Sequence, residues 1–151
     1  MFVMLIINMT TEQYSTYSYL LDRTNRRIKQ YAQNKFKEEE FDITVDQWLI
    51  LKILSLNNDK NQSELAELTG KDHPTLTRIL DLLCKKNLVE RNACEGDRRS
   101  FTIQLTKNGV DKQKEWAPKV AQIRNKAWEN LSEKDHEELK RILNTIYQSL
   151  S

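Results

Sequence analysis

Three polar side chains close together in the sequence, Thr75, Thr77 and Arg78, are of types suited to recognition rather than to bond making. An arginine guanidinium matches the O6 and N7 acceptors of guanine, and one good bidentate pair discriminates against a wrong base by about 1–3 kcal/mol. Threonine hydroxyls suit phosphates or base edges, and their methyls suit thymine. At about 100° per residue on a helix, Leu76, Ile79, Leu80 and Leu83 fall on one side. Pro74, Arg78, Asp81 and Lys85 fall on the other, with Lys71 nearby and the two threonines on the flanks. A helix with one apolar face and one such polar face can be seated on a core while its exposed side enters a major groove. Asp81 is placed three residues on to hold Arg78, and its charge repels phosphate, which suits reading better than generic adhesion. A second group, Asp97-Arg98-Arg99, sits in a polar loop with Gly96. Its arginines are suited to a minor groove or a phosphate backbone.

The elements that must carry these groups are legible around them. Asn61 with Glu64 forms a capping pair ahead of a short helix, Gln62–Thr69, and Ala66 is small enough to let a second helix cross closely. Gly70 supplies the turn, Asp72 a cap, and Pro74 a first-turn residue whose missing N–H costs nothing. The next helix is expected to run to about Asn87, giving helix, short turn and helix. Strand-like alternation in Leu88–Arg91 and Ser100–Leu105 brackets the polar loop, a hairpin wing. The helical pair alone is common among unrelated proteins. The arginine-bearing hairpin behind it is what points to double-stranded DNA. A winged helix serving protein interaction or scaffolding, without functional DNA contact, is the alternative.

Long amphipathic segments flank this middle. A first helix is expected from Thr11 to about Phe36, with Thr10 and Gln13 as its capping pair. A second opens at Thr44, capped with Gln47, and runs to Leu56, followed by turn residues Asn57–Asn61. From Leu105-Thr106 a helical half reaches the C-terminus, with Pro118 expected to bend or loosen it. Ser132 with Asp135 caps a last helix presenting Leu139, Ile142, Leu143, Ile146, Tyr147 and Leu150. Such stripes need a partner. They can pack on each other or on a second copy, and a small centre between two long ends favours the homodimer. The expected fold is mainly α with a small β-hairpin wing (α+β). Residues 1–36 and 107–151 form dimerisation helices around a winged helix-turn-helix at 37–106, its reading helix at about 72–87 and its wing at about 88–106.

Composition sets limits. The 151 residues include 24 Lys and Arg against 22 Asp and Glu, so net charge alone announces no nucleic acid and the placement of charge must decide. Cys84 and Cys94 fit no disulfide framework or ligand spacing, and His73 and His136 lie far apart. With no nucleophile–base set and no Gly-rich phosphate loop, an enzyme, a metal site and a cofactor are not expected. Cys84 reads as a small buried hydrophobe, and Cys94 as the more exposed thiol, near Arg91, Arg98 and Arg99. Phe2–Met9 is apolar but far shorter than the ~20 residues of a membrane span. It reads as a terminus that docks or frays, or as residues ahead of a start at Met9. A cytoplasmic protein is expected.

Taken together, Glu64-Leu-Ala-Glu-Leu68, Leu76-Thr-Arg-Ile-Leu-Asp-Leu-Leu83, Lys86-Asn-Leu-Val-Glu-Arg91, Asp97-Arg-Arg99 and Leu105-Thr106 resemble the MarR family of bacterial regulators. The resemblance implies a triangular homodimer with interdigitated terminal helices. It further implies repression by occupancy of a roughly palindromic operator and, in many members, release by a small aromatic or phenolic ligand. Thr75, Thr77 and Arg78 match positions that touch DNA, and Asp97 and Arg99 match the wing acid and the arginine that probes the minor groove. Asp72-His73-Pro74 departs from the family's usual start to the reading helix, and the first helix lacks the cysteine of its redox-sensing branch. Aromatic rings gather in the first two helices, where the family keeps its effector cleft. Tyr17, Tyr31 and Trp48, with Arg23 and Arg27 to receive an acidic group, are the candidate ligand residues, and core and dimer packing is their competing use.

Overall fold

The computed structural model describes residues 2–94 and 96–151, and for 2–14 and 97–99 the backbone alone. Helix α1 spans Phe2–Glu38. It begins earlier than the expected Thr11, so the Thr10–Gln13 pair does not mark its start. A cap is worth about 1 kcal/mol, whereas Phe2–Met9 contains no Gly or Pro and extends the helix one hydrogen bond per residue. Glu40, at φ 58°, reverses the chain, and Phe41 donates its N–H to the Phe36 carbonyl at 2.9 Å.

Helix α2, Val45–Leu56, begins at the Thr44–Gln47 capping box, with both reciprocal bonds present at 3.1 Å. A two-residue strand β1, Lys60–Asn61, then leads into α3, Gln62–Thr69, and α4, His73–Lys85. The wing is β2, Val89–Cys94, with β3, Asp97–Leu105, both longer than alternation alone suggests. The antiparallel sheet has the order β1-β3-β2, with Lys60 opposite Ile103 and Val89 opposite Leu105. Strand β1 corrects the expected turn, because two residues are too few to show any periodicity. Helix α5, Lys107–Asn125, and α6, Glu133–Ser149, complete the chain. Pro118, on an exposed position of α5, does not interrupt it, since water can satisfy a carbonyl on that side.

One core holds the centre together. Ile50, Leu51 and Leu54 of α2, Leu65 of α3, Leu76, Leu80 and Leu83 of α4 and Ile103 of β3 are fully buried, with Phe36 arriving from α1. The start of α5 locks onto the base of the wing. Thr106 donates its N–H to the Leu88 carbonyl at 3.1 Å, and its hydroxyl donates to Asn87 at 2.6 Å. A Cβ on Gly109 would lie 1.9 Å from the same Leu88 oxygen, so this approach tolerates only glycine.

The ends differ from the centre. No residue of α6 is buried, and Ile142, Leu143, Tyr147 and Leu150 are 41%, 42%, 70% and 83% exposed. Tyr17, Tyr19, Leu20 and Leu21 of α1 are exposed as well. Among the described residues, no helix is long and apolar enough to cross a membrane.

Candidate nucleic-acid interface

Helix α4 is positioned from both ends and from beneath. Asp72 caps it, its carboxylate accepting the Thr75 N–H at 2.7 Å. That bond, joined by the nearby charge of Arg78, holds the Asp72 carboxyl below the usual carboxylate range. Gly70 makes the preceding turn at φ 67°. The expected buried face is present: Leu76, Ile79, Leu80 and Leu83 sit in the core, with Ala66 of α3 packed at its edge. Pro74, Arg78, Asp81 and Lys85 are exposed, and Thr75 and Thr77 are half-buried beside them.

One expected partnership is replaced, and two further contacts join the site. Asp81 does not hold Arg78. It pairs at 2.8 Å with Arg91 of β2, tying the reading helix to the wing. A guanidinium arriving from the neighbouring strand meets Asp81, whereas Arg78 points outward and makes no hydrogen bond or ion pair with a described residue. Thr77 accepts a hydrogen bond from Gln62 Nε2 at 2.7 Å, so its hydroxyl keeps its own proton for a ligand. Gln62 has no signal in the sequence beyond following a cap. Lys71 is 18% exposed at its side chain and pairs with Asp46 of α2 at 3.1 Å, on the inner side of the turn.

Behind α4 the hairpin turns at Gly96, φ 85°, with an irregularity between Ala93 and Cys94. Asp97 begins β3 opposite Cys94 and is followed by Arg98 and Arg99. The side chains of Asp97, Arg98 and Arg99 lie outside the described residues. Phe101, opposite Ala93, is 45% exposed. Arg91 points toward Cys84, with Nη1 to Sγ at 3.8 Å, rather than toward Cys94 as expected. Both cysteines are free and half-buried.

The candidate ligand residues separate. Arg23, Arg27 and Tyr31 line one groove of about 1240 Å³ between α1, α5 and α6, with Ile123, Trp128 and Leu143. Arg23 also lies over the Tyr19 ring, 5.5 Å from its centroid. Trp48 is instead 8% exposed in the core and borders a second cleft, about 510 Å³, with Lys29, Asp46 and Lys71. Tyr17 lines neither. Trp48 is one of the buried residues of α2, and its cleft is also lined by Ile28 of α1 and Val120 of α5. Among the described residues, no three His, Cys, Asp or Glu side chains converge on a metal-sized site.

Residues 43–101 match the model of the MarR family. Similar solved structures include the MepR–DNA complex of S. aureus, 28% identical over 89% of this chain and 98% of that one, TM-score 0.79. AbsC, a MarR family transcriptional regulator from Streptomyces coelicolor, is 26% identical over 93% and 95%, TM-score 0.79. A variant of E. coli MarR in complex with operator DNA shares the fold at 22% identity over 91% and 97%, TM-score 0.80.

Proposed function

Because this chain belongs to the MarR family of winged helix-turn-helix regulators, which bind DNA and control transcription, we propose that it acts as a homodimeric repressor at a pseudo-palindromic operator. The observation that carries this reading is helix α4. Its apolar face is fully seated while Arg78, exposed and with no ion pair among the described residues, stands with Pro74, Lys85 and the flanking Thr75 and Thr77. In this proposal Arg78 reads a base in the major groove, the threonines and Lys85 serve phosphates and neighbouring edges, and Pro74 gives apolar contact. Arg98 and Arg99 of the wing reach the minor groove or backbone, with Asp97 fixing the wing's geometry. The MepR and MarR relatives were solved with DNA, which supports the assignment.

Dimerisation is inferred from the unpartnered stripes of α1 and α6. Two copies would present two reading helices about 34–36 Å apart, one turn of the duplex. Residues 1–36 and 107–151 would then form the dimer, residues 37–106 the reading unit, and the protein would work in the cytoplasm beside the chromosome. An apolar aromatic acid in the groove of Arg23, Arg27 and Tyr31 would shift the relative placement of the two reading helices and release the operator. Titration of phenols and aromatic acids against the complex tests that step, and unchanged DNA release across the set would remove it.

The DNA assignment is tested with a duplex selected by the protein from a random-sequence pool. Affinity should fall steeply with salt as bound phosphates release their counterions. Arg78→Ala should relax selection at one base position, and Arg99→Ala should weaken all sequences evenly. Tight operator binding by both variants would overturn the assigned roles. Selection of no duplex at low salt would favour a protein-binding winged helix instead.

A further inference from the structure

The Asp46 carboxylate stands between two ammonium groups from different parts of the chain. Oδ2 accepts from Lys29 of α1 at 2.9 Å, and Oδ1 lies 3.1 Å from Lys71 in the turn before α4. We propose that Asp46 is a positioning residue for the reading helix and that Lys71 is an internal strut, not a phosphate contact. The inference rests on the DNA-binding reading above.

The geometry is specific. The N-terminal end of α2 is already fixed to α1, because Val45 donates its N–H to Gln33 Oε1 at 2.9 Å. Lys71 fastens the turn to that joint, and the next residue, Asp72, caps the first turn of α4. Two successive residues therefore couple the α1–α2 joint to the segment bearing Thr75 and Arg78. At the other end of α4, Lys86 reaches the Asp42 carbonyl at 2.5 Å and Gln47 Oε1 at 3.3 Å. The reading helix is thus bracketed by two lysines that both engage the start of α2.

Burial pushes the Asp46 carboxyl up, but hydrogen bonds from Lys29 and Lys71 more than offset this and hold it below the usual carboxylate range. The strut is therefore charged at neutral pH. Lys71 is the more enclosed of the two lysine side chains, at 18% exposure against 49% for Lys29. Its ammonium has donors to spare, but a phosphate would have to reach it inside that enclosure.

The test uses the full protein, the selected duplex, and the variants Asp46→Asn, Lys71→Met, Lys71→Arg and the Asp46→Asn/Lys71→Met double. Asp46→Asn and Lys71→Met should each weaken operator binding by roughly five- to tenfold, and the double should be no worse than either single. Lys71→Arg, which keeps the pairing, should bind as the parent does. The slope of log affinity against log salt should be the same in all. Without DNA, Asp46→Asn should speed hydrogen exchange at the first-turn amides of α4 while the rest of the core keeps its protection. A fall of about 0.9 in the salt slope for Lys71→Met would make Lys71 a phosphate contact and overturn the proposal. Multiplying losses in the double, or unchanged exchange in Asp46→Asn, would overturn it too. If the parent selects no duplex, the DNA reading fails, and the exchange arm still decides whether Asp46 positions α4.

Discussion

The winged centre and the terminal helices of this chain are built to different degrees of completion. In the centre, α2, α3, α4 and the sheet bury their apolar faces together, and caps at Thr44, Asn61 and Asp72 satisfy the helix starts. In α6 the cap at Ser132 is equally well formed, yet no residue is buried. Good local structure therefore does not depend on finished packing. A helix such as α6 draws its stability from an apolar face, which a single chain leaves in water. Under the proposed function, the finished centre carries the reading surface and the open face of α6 the assembling one.

The largest effect that would break this contrast lies where centre and end are joined. Gly109→Ala should destabilise the fold by at least about 3 kcal/mol in urea unfolding, because the added carbon meets a backbone oxygen that cannot swing aside. A loss below about 1 kcal/mol would mean that α5 is not locked to the wing. Next comes Ile142→Asp, which should weaken self-association by about 2 kcal/mol in sedimentation equilibrium while the circular dichroism of the centre is kept. An unchanged association constant would place the interface elsewhere. Cap removal is smaller and sharpens the comparison. Thr44→Ala should cost about 1 kcal/mol at any protein concentration, whereas the similar loss in Ser132→Ala should be felt through dimerisation and so vary with concentration.

Acid should produce the smallest and most evenly shared change. Asp46 and Asp72 in the centre and Asp135 and Glu138 in α6 all have carboxyls held below their ordinary values. For groups depressed in the folded state, the stabilisation is complete above the unfolded value and is lost as pH falls through the folded one. Stability should hold from neutral pH down to the carboxylate range and decline below about 4.5 where Glu138 contributes and below about 3.8 for the aspartates. An unfolding free energy that stays flat below that range would show these contacts to be idle.

Much of this was legible in the sequence where the cause is local. Thr44–Gln47, Asn61–Glu64 and Ser132–Asp135 are bonds between residues three apart, so their spacing alone identifies them. The two faces of α4 follow from helical geometry. What stayed hidden depends on chain segments meeting from afar. Asp81 finds Arg91 ten residues on, and not its helical neighbour Arg78. The pairing of Lys71 with Asp46 has no sequence signal, because α2 must fold beside the turn before the two meet. The need for glycine at 109 comes from the Leu88 carbonyl, which only the fold places against it. Strand β1 exists because β3 offers it a partner. At Thr10 a local signal was present and overruled by the apolar run before it.

In the proposed function, one chain completes a reading head but only two chains make an operator-binding unit. Sedimentation of the protein with its selected duplex tests this most directly. Two chains per duplex are predicted, contacting half-sites about 10 base pairs apart, with Ile142→Asp losing the second chain and most of the affinity. A single chain bound at full affinity would contradict it.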